Sequence, residues 1–127
     1  MAYPAELKYT KEHEWIKVDG NTGTIGITDH AQQALGDIVF VELPKPGASI
    51  SAGKSFGTVE SVKAVSDLFA PVSGTVTEVN QELSTAPEKV NSEPHQAWMI
   101  KVTLSNASET SALLSAADYE KFVAEES

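Results

Sequence analysis

Among the side chains able to do chemistry, Lys63 stands apart. It lies in GTVESVKAVSD (57–67), between two short alternations that read as strands, at the point where a hairpin has to turn. No Gly or Asn sits beside it to ease that turn; its neighbours are Val62 and Ala64. An exposed lysine is ordinarily a solvated charge or the guard of a sheet edge. A Schiff-base lysine needs burial or a cationic neighbour to lower its pKa, and a hairpin tip supplies neither. The chemistry left is attachment. A lysine held out on a rigid turn, beside side chains as modest as Ser61, Val62 and Ala64, is open to a modifying enzyme and can anchor a carried prosthetic group.

Other reactive constellations are weaker. Cysteine is absent, so a thiol nucleophile, a disulfide framework and a cysteine metal site are all excluded. The three histidines, His13, His30 and His95, show no i, i+4 spacing for a metal. His13 between Glu12 and Glu14 reads either as part of a polar cluster or as an exposed histidine among solvated carboxylates; His30, in the first turn of a short helix, reads as structural. AGKS (52–55) ends like a phosphate-binding loop, but the position that should hold the first glycine is Ala48, so a surface turn is expected. No G-x-S-x-G elbow supports hydrolysis by a serine triad. No catalytic residue is assigned.

The elements that must position Lys63 are mostly β. LKYT (7–10), EWIKVD (14–19) and GTIGIT (23–28) are rich in aromatic and β-branched residues, with DGNTG (19–23) as the turn between the last two. Asp29 can cap a short helix at about 30–35, with Gln32 completing a capping box and Gly36 ending it. DIVFVEL (37–43) reads as a strand stopped by PKPG, SGTVTEVN (73–80) as another, and AWMIKVTL (97–104) as a last one with Trp98, Ile100, Val102 and Leu104 on one side. The segment 84–96, with two prolines, reads as a surface loop. The tail from about 107 to 125 reads as helical: Ser115 and Asp118 fit a cap, Leu114 can staple onto Tyr119, and Tyr119, Phe122 and Val123 face the sheet. Gly-Thr-Val recurs on both sides of Lys63 (57–59 and 74–76), a faint echo that fits a sandwich of two related halves.

At 127 residues one domain is expected, 1–127, with a core over about 7–104 and the helical tail after it. A net charge of −9, with nine lysines and no arginine, argues against nucleic acid. No apolar run approaches a membrane span, and MAYPAELKYT lacks a secretory signal's pattern. The expected location is the cytoplasm, or the mitochondrial matrix for a processed organelle form.

ESVKAVSD resembles the modified hairpin of the glycine cleavage H-protein family. KYTKEHEWIKV, TIGITDHAQQALGDIVFVELPKPG, APVSGTVTEVN, VNSEP and WMIKV resemble that family's other segments in order, from about Leu7 to Phe122. One departure is Ala97, where the family commonly has Gly before the tryptophan of the last strand. The resemblance implies a biotinyl/lipoyl-type β-sandwich, a barrel-sandwich hybrid, with lipoate joined to Lys63 by an amide. It implies a non-catalytic carrier that takes the aminomethyl group of glycine from a pyridoxal-phosphate glycine decarboxylase to a folate-dependent aminomethyltransferase. Dihydrolipoamide dehydrogenase would then reoxidise the arm, and a lipoate ligase or a lipoyl/octanoyl transferase would attach it. A monomer is expected.

Three further residues follow. Glu60 and Asp67 flank Lys63 and are candidates for contacts that the lipoylating enzyme recognises. A carried aminomethyl nitrogen is protonated and labile to water, so a carboxylate that shelters it is expected; Glu14, in HEW, is the first choice, with the ITDHAQ helix as part of the wall. An exposed charge pair would hold the arm by only about 0.2–1 kcal/mol, leaving apolar contacts to add the rest. A biotin carrier of Met-Lys-Met type does not fit Val62 and Ala64, and a tethered 2-oxo acid dehydrogenase lipoyl domain does not fit a chain without a linker. An H-like relay that passes lipoate to other enzymes, and an interaction module without an arm, stay open.

Overall fold

The computed structural model describes residues 3–126. Two antiparallel sheets enclose the core. Strands β1 (Lys8–Tyr9), β2 (Glu14–Asp19) and β3 (Thr22–Ile27) open the chain, and α1 (Asp29–Leu35) leads into β4 (Ile38–Glu42). Then come β5 (Ser49–Ile50), β6 (Ser55–Ser61), β7 (Val65–Phe69) and β8 (Gly74–Val79). Two helical turns, α2 (Glu82–Thr85) and α3 (Lys89–Ser92), precede β9 (Ile100–Leu104); a 3-10 helix (Ala107–Ala112) and α4 (Ala116–Glu126) close the described chain. The larger sheet has the order β1-β2-β3-β9-β8-β5, the smaller β4-β6-β7. Among the described residues no helix is long and apolar enough to cross a membrane.

Between the sheets lie Ile16, Ile25, Val59, Leu68, Val76, Ile100 and Val102, all essentially without solvent contact. The repeated Gly-Thr-Val has a packing cause. Val59 and Val76 both enter this core. A Cβ on Gly57 would strike the Glu42 carbonyl, and one on Gly74 the Thr103 carbonyl. Each glycine lets a neighbouring strand come close just before its valine turns inward.

A second cluster joins the two ends of the chain. Leu7, Tyr9, Trp15, Ala116 and Tyr119 are buried together, with Leu114, Phe122 and Val123 packed against them. Tyr9 and Tyr119 stack with ring centroids 4.8 Å apart. Ser115 Oγ accepts from the Asp118 N–H at 3.2 Å, the expected cap of α4. Leu114 both packs here and bridges to Tyr9 as an isolated β pair, so the tail is a 3-10 helix and an α-helix separated by extended chain.

Several local expectations need correction. The segment 84–96 folds into the end of α2 and into α3, because Leu83 and Val90 are apolar anchors buried in the core. Thr28, and not Asp29, is the N-cap of α1: its hydroxyl accepts from the Ala31 N–H at 3.2 Å. Asp29 is the first helical residue, and its carboxylate accepts from the side-chain amides of Gln32 and Gln33. The last strand begins at Ile100; Trp98 precedes it and packs against the second cluster, while Met99 is buried. Ala97 is also buried and donates to the Glu93 carbonyl at 2.7 Å, so its methyl group is accommodated.

Candidate functional site

The turn that carries Lys63 is built by Ser61. Its N–H donates to the Ala64 carbonyl at 2.8 Å, and its Oγ accepts from the N–H groups of Lys63 and Ala64 at 3.2 and 3.1 Å. A serine hydroxyl that satisfies two backbone donors does what Gly or Asn would otherwise do at a hairpin tip. Ser61 is itself buried, which fixes the turn's base, while 62 to 65 are exposed.

Lys63 does not project freely along its whole length. A Cβ placed on Gly36 would lie 3.2 Å from its Cε, so the stem runs over the glycine that ends α1. Gly36 has φ 83, the left-handed region that suits a helix-ending glycine. Asn91 of α3 fastens this joint: its Nδ2 donates to the Gln32 side chain and the Gly36 carbonyl, both at 2.9 Å, and its Oδ1 accepts from the Ile38 N–H at 2.8 Å. The Val62 N–H donates to the Asp37 carbonyl at 3.0 Å, tying the hairpin to the same place. The sequence reading gave Gly36 only as the end of α1 and did not single out Asn91; the contacts of both, Gly36 with the Lys63 stem and the Asn91 amide with Gln32, Gly36 and Ile38, join segments distant in sequence.

Glu60 and Asp67 lie on the outer face of the smaller sheet. Phe40, Glu60 and Val65 are paired across β4, β6 and β7, and Glu42, Thr58 and Asp67 form the next such row. Residues paired this way point to the same side. Phe40 is 50% exposed, Val62 67% and Val65 64%, so much of the protein's exposed apolar surface rings Lys63, rimmed by acids. Phe40 points outward because of a bulge between Ile38 and Phe40, which resets the alternation so that Ile38 and Val41 face the core. Asp67 accepts from Ser55 Oγ at 3.3 Å.

Glu14 is only 2% exposed, not a surface carboxylate. Its Oε1 accepts from Thr10 Oγ1 at 2.7 Å and its Oε2 from the Phe69 N–H at 3.2 Å. Burial pushes its pKa up to about 7, against the opposing pull of these two hydrogen bonds. Phe69 ends β7, whose other end begins just after Lys63; the strand's length of about 13 Å separates turn and carboxyl. His13 takes φ 71, and its Nδ1 is 2.7 Å from the Tyr119 hydroxyl. Its ring centroid is 4.5 Å from that of His30. It is therefore a half-buried, hydrogen-bonded residue. Among the described residues no cluster of three or more His, Asp or Glu could hold a metal.

The sequence profile of the glycine cleavage H-protein family matches residues 7–126, which span both sheets, the Lys63 turn and the tail helix. The chain belongs to the glycine cleavage H-protein family. It is 74% identical over 126 residues to the glycine cleavage system H protein of Koribacter versatilis, covering 99% of this chain and 98% of that one. It is 64% identical over 124 residues to that of Carboxydothermus hydrogenoformans, covering 97% and 95%. The crystal structure of a glycine cleavage system H protein from Mycobacterium marinum superposes with a TM-score of 0.86 at 40% identity, covering 94% of this chain and 97% of that one. Its membership accounts for the β-sandwich with a short first helix and helical tail. In this H-protein family member, Lys63 is exposed, its turn is fixed by Ser61, and its stem rests where Gly36 leaves room for it.

Proposed function

We propose that Lys63 carries lipoate through an amide and that the chain so modified shuttles the aminomethyl group of glycine between enzymes. Family membership supplies the coarser part of this reading: the chain is a lipoyl carrier of the glycine cleavage system. The observation that carries the finer part is the seat of Lys63, an exposed lysine on a rigid turn with its stem against Gly36. Free lysine, with a pKa of about 10.4, is protonated near pH 7 and is not acylated by an unactivated acid. A lipoate ligase or a lipoyl/octanoyl transferase must therefore bring the acyl group. Glu60 and Asp67, on the same outer face, are the side chains offered to that enzyme.

Lipoate, once attached, supplies the dithiol chemistry that a chain without cysteine lacks. The chain itself positions and shelters. The decarboxylase, the aminomethyltransferase and dihydrolipoamide dehydrogenase act in turn at the exposed Lys63 turn, and the chain is a non-catalytic monomer. Between visits, Glu14 at the far end of β7 pairs with the ammonium of the carried group. Burial keeps this carboxyl partly protonated near pH 7, so the arriving ammonium has to draw it into its ionised form, and once formed the pair meets little competition from water.

Replacing Lys63 by Arg keeps the charge and removes the acylation site. The Lys63→Arg protein is expected to fold normally, to gain no lipoyl mass in its native host, and to support no glycine decarboxylation. Lipoyl mass on that variant would overturn the assignment.

A further inference from the structure

We infer that Tyr119, on the C-terminal helix, is a positioning residue for Glu14: its hydroxyl holds the His13 turn that keeps the Glu14 carboxyl buried and aimed at β7. The inference rests on the reading of Glu14 as the shelter of the carried group, and adds a residue far from the arm in sequence.

The geometry is continuous. Tyr119 has no solvent exposure. Its hydroxyl lies 2.7 Å from His13 Nδ1 and 2.7 Å from Thr28 Oγ1. Thr28 Oγ1 already accepts from the Ala31 N–H as the cap of α1, so its own proton is free to go to the Tyr119 oxygen. In the His13 tautomer that carries its proton on Nε2, Nδ1 accepts the tyrosine proton and each hydroxyl proton finds an acceptor. The Thr28 N–H closes a loop by donating to the His13 carbonyl at 3.0 Å.

His13 needs such a hold. It sits at φ 71, a conformation that a non-glycine side chain adopts at a cost and keeps only where its surroundings fix it. The strained residue ends a tight turn. The His13 N–H donates to the Thr10 carbonyl, and Thr10 Oγ1 both accepts from the Glu14 N–H at 3.1 Å and donates to the Glu14 carboxyl at 2.7 Å. Releasing His13 relaxes the turn and admits water to a carboxyl that burial, helped by Glu12's negative charge, keeps partly protonated. Tyr119 also touches the cap of α1, whose other end lies beneath Lys63, so one hydroxyl serves the shelter and its wall.

The test compares Tyr119→Phe, which removes only the hydroxyl, with Glu14→Ala and the double variant, all full-length, and lipoylated where hydrolysis is read. The first readout needs no loaded arm: the titration midpoint of the Glu14 carboxyl, followed by carboxyl carbon NMR in unmodified wild type and Tyr119→Phe. The midpoint is expected to fall from about 7 toward the ordinary carboxylate range. The second is hydrolysis of the glycine-loaded arm in isolated carrier, expected to quicken about threefold to tenfold, the scale of one hydrogen bond. In the Glu14→Ala background the same change should add nothing, since a residue that acts through Glu14 has no effect without it. An unmoved midpoint, or an equal quickening with Glu14 absent, overturns the inference. If Glu14→Ala leaves hydrolysis at the wild-type rate, the shelter reading fails, and the midpoint alone decides the role of Tyr119. Should Tyr119→Phe not fold, His13→Ala decides, because Ala lacks the ring that meets Tyr119 and leaves the cost of positive φ in place; the midpoint is again expected to fall, and an unmoved one overturns the inference.

Discussion

Glu14 holds a proton where most carboxylates do not. Its folded pKa is about 7 against an ordinary 4.5, so between those values the native protein binds the proton that the unfolded chain releases. The resulting stability is full below about pH 4.5 and is lost as pH rises through 7, at no more than about 1.36 kcal/mol per pH unit. His95 works in the other direction, since burial lowers its pKa and its contribution is lost on acidification. The Glu14 term is isolated by difference. Urea denaturation of wild type and Glu14→Gln at pH 5, 6, 7 and 8 is expected to show the gap between the two curves changing by on the order of 3 kcal/mol, with wild type losing relative stability upward. Parallel curves would mean that the carboxyl titrates normally. Glu14 could be put forward from sequence as the proposed shelter because an ammonium favours a carboxylate. Its burial could not, because Thr10 and the Phe69 N–H meet it only after the sheets pack.

The α1–β4 joint carries the stem of Lys63, and Asn91 holds that joint with three hydrogen bonds. Asn91→Ala strands the Ile38 N–H and the Gly36 carbonyl, each at a cost of roughly 1–3 kcal/mol where water does not replace the bond. Denaturation midpoints should drop accordingly, and the rate of lipoylation should drop with them, because the turn loses its footing; a variant as stable and as readily lipoylated as wild type would refute the role given to the joint. Such ties explain what sequence made legible. The β2/β3 hairpin, the strands either side of Lys63 and α1 announce themselves by alternation, turn residues and a terminal glycine, all local signals. The bulge at Phe40, the short β5 and the anchors Leu83 and Val90 depend on neighbours distant along the chain. Asp29 looked like the cap of α1 because Asp is the better N-cap residue of the two; the His13 and Tyr119 contacts to Thr28 give Thr28 the position instead.

At the scale of the molecule, one face gathers Phe40, Val62 and Val65 around Lys63, with Glu42, Glu60 and Asp67 at its edge, on a chain of net charge −9. A complementary site has an apolar centre and a cationic rim. Phe40→Ser is expected to lower kcat/KM of the aminomethyltransferase for the carrier about tenfold, through KM, the effect of losing roughly 1.4 kcal/mol of contact. Glu60→Lys should slow lipoylation, and the penalty should shrink as salt screens it. Unchanged kinetics for both would place recognition elsewhere.

The Lys63 turn is a single tip on a single face. With the arm on Lys63 as proposed, every enzyme that handles it must occupy this tip, so no two can do so at once. The carrier then behaves as a shared berth: raising one enzyme far above the others holds carriers idle at its site and starves the next step. Throughput peaks at balanced ratios, and the quality most favoured in each contact is brief residence rather than tight grip.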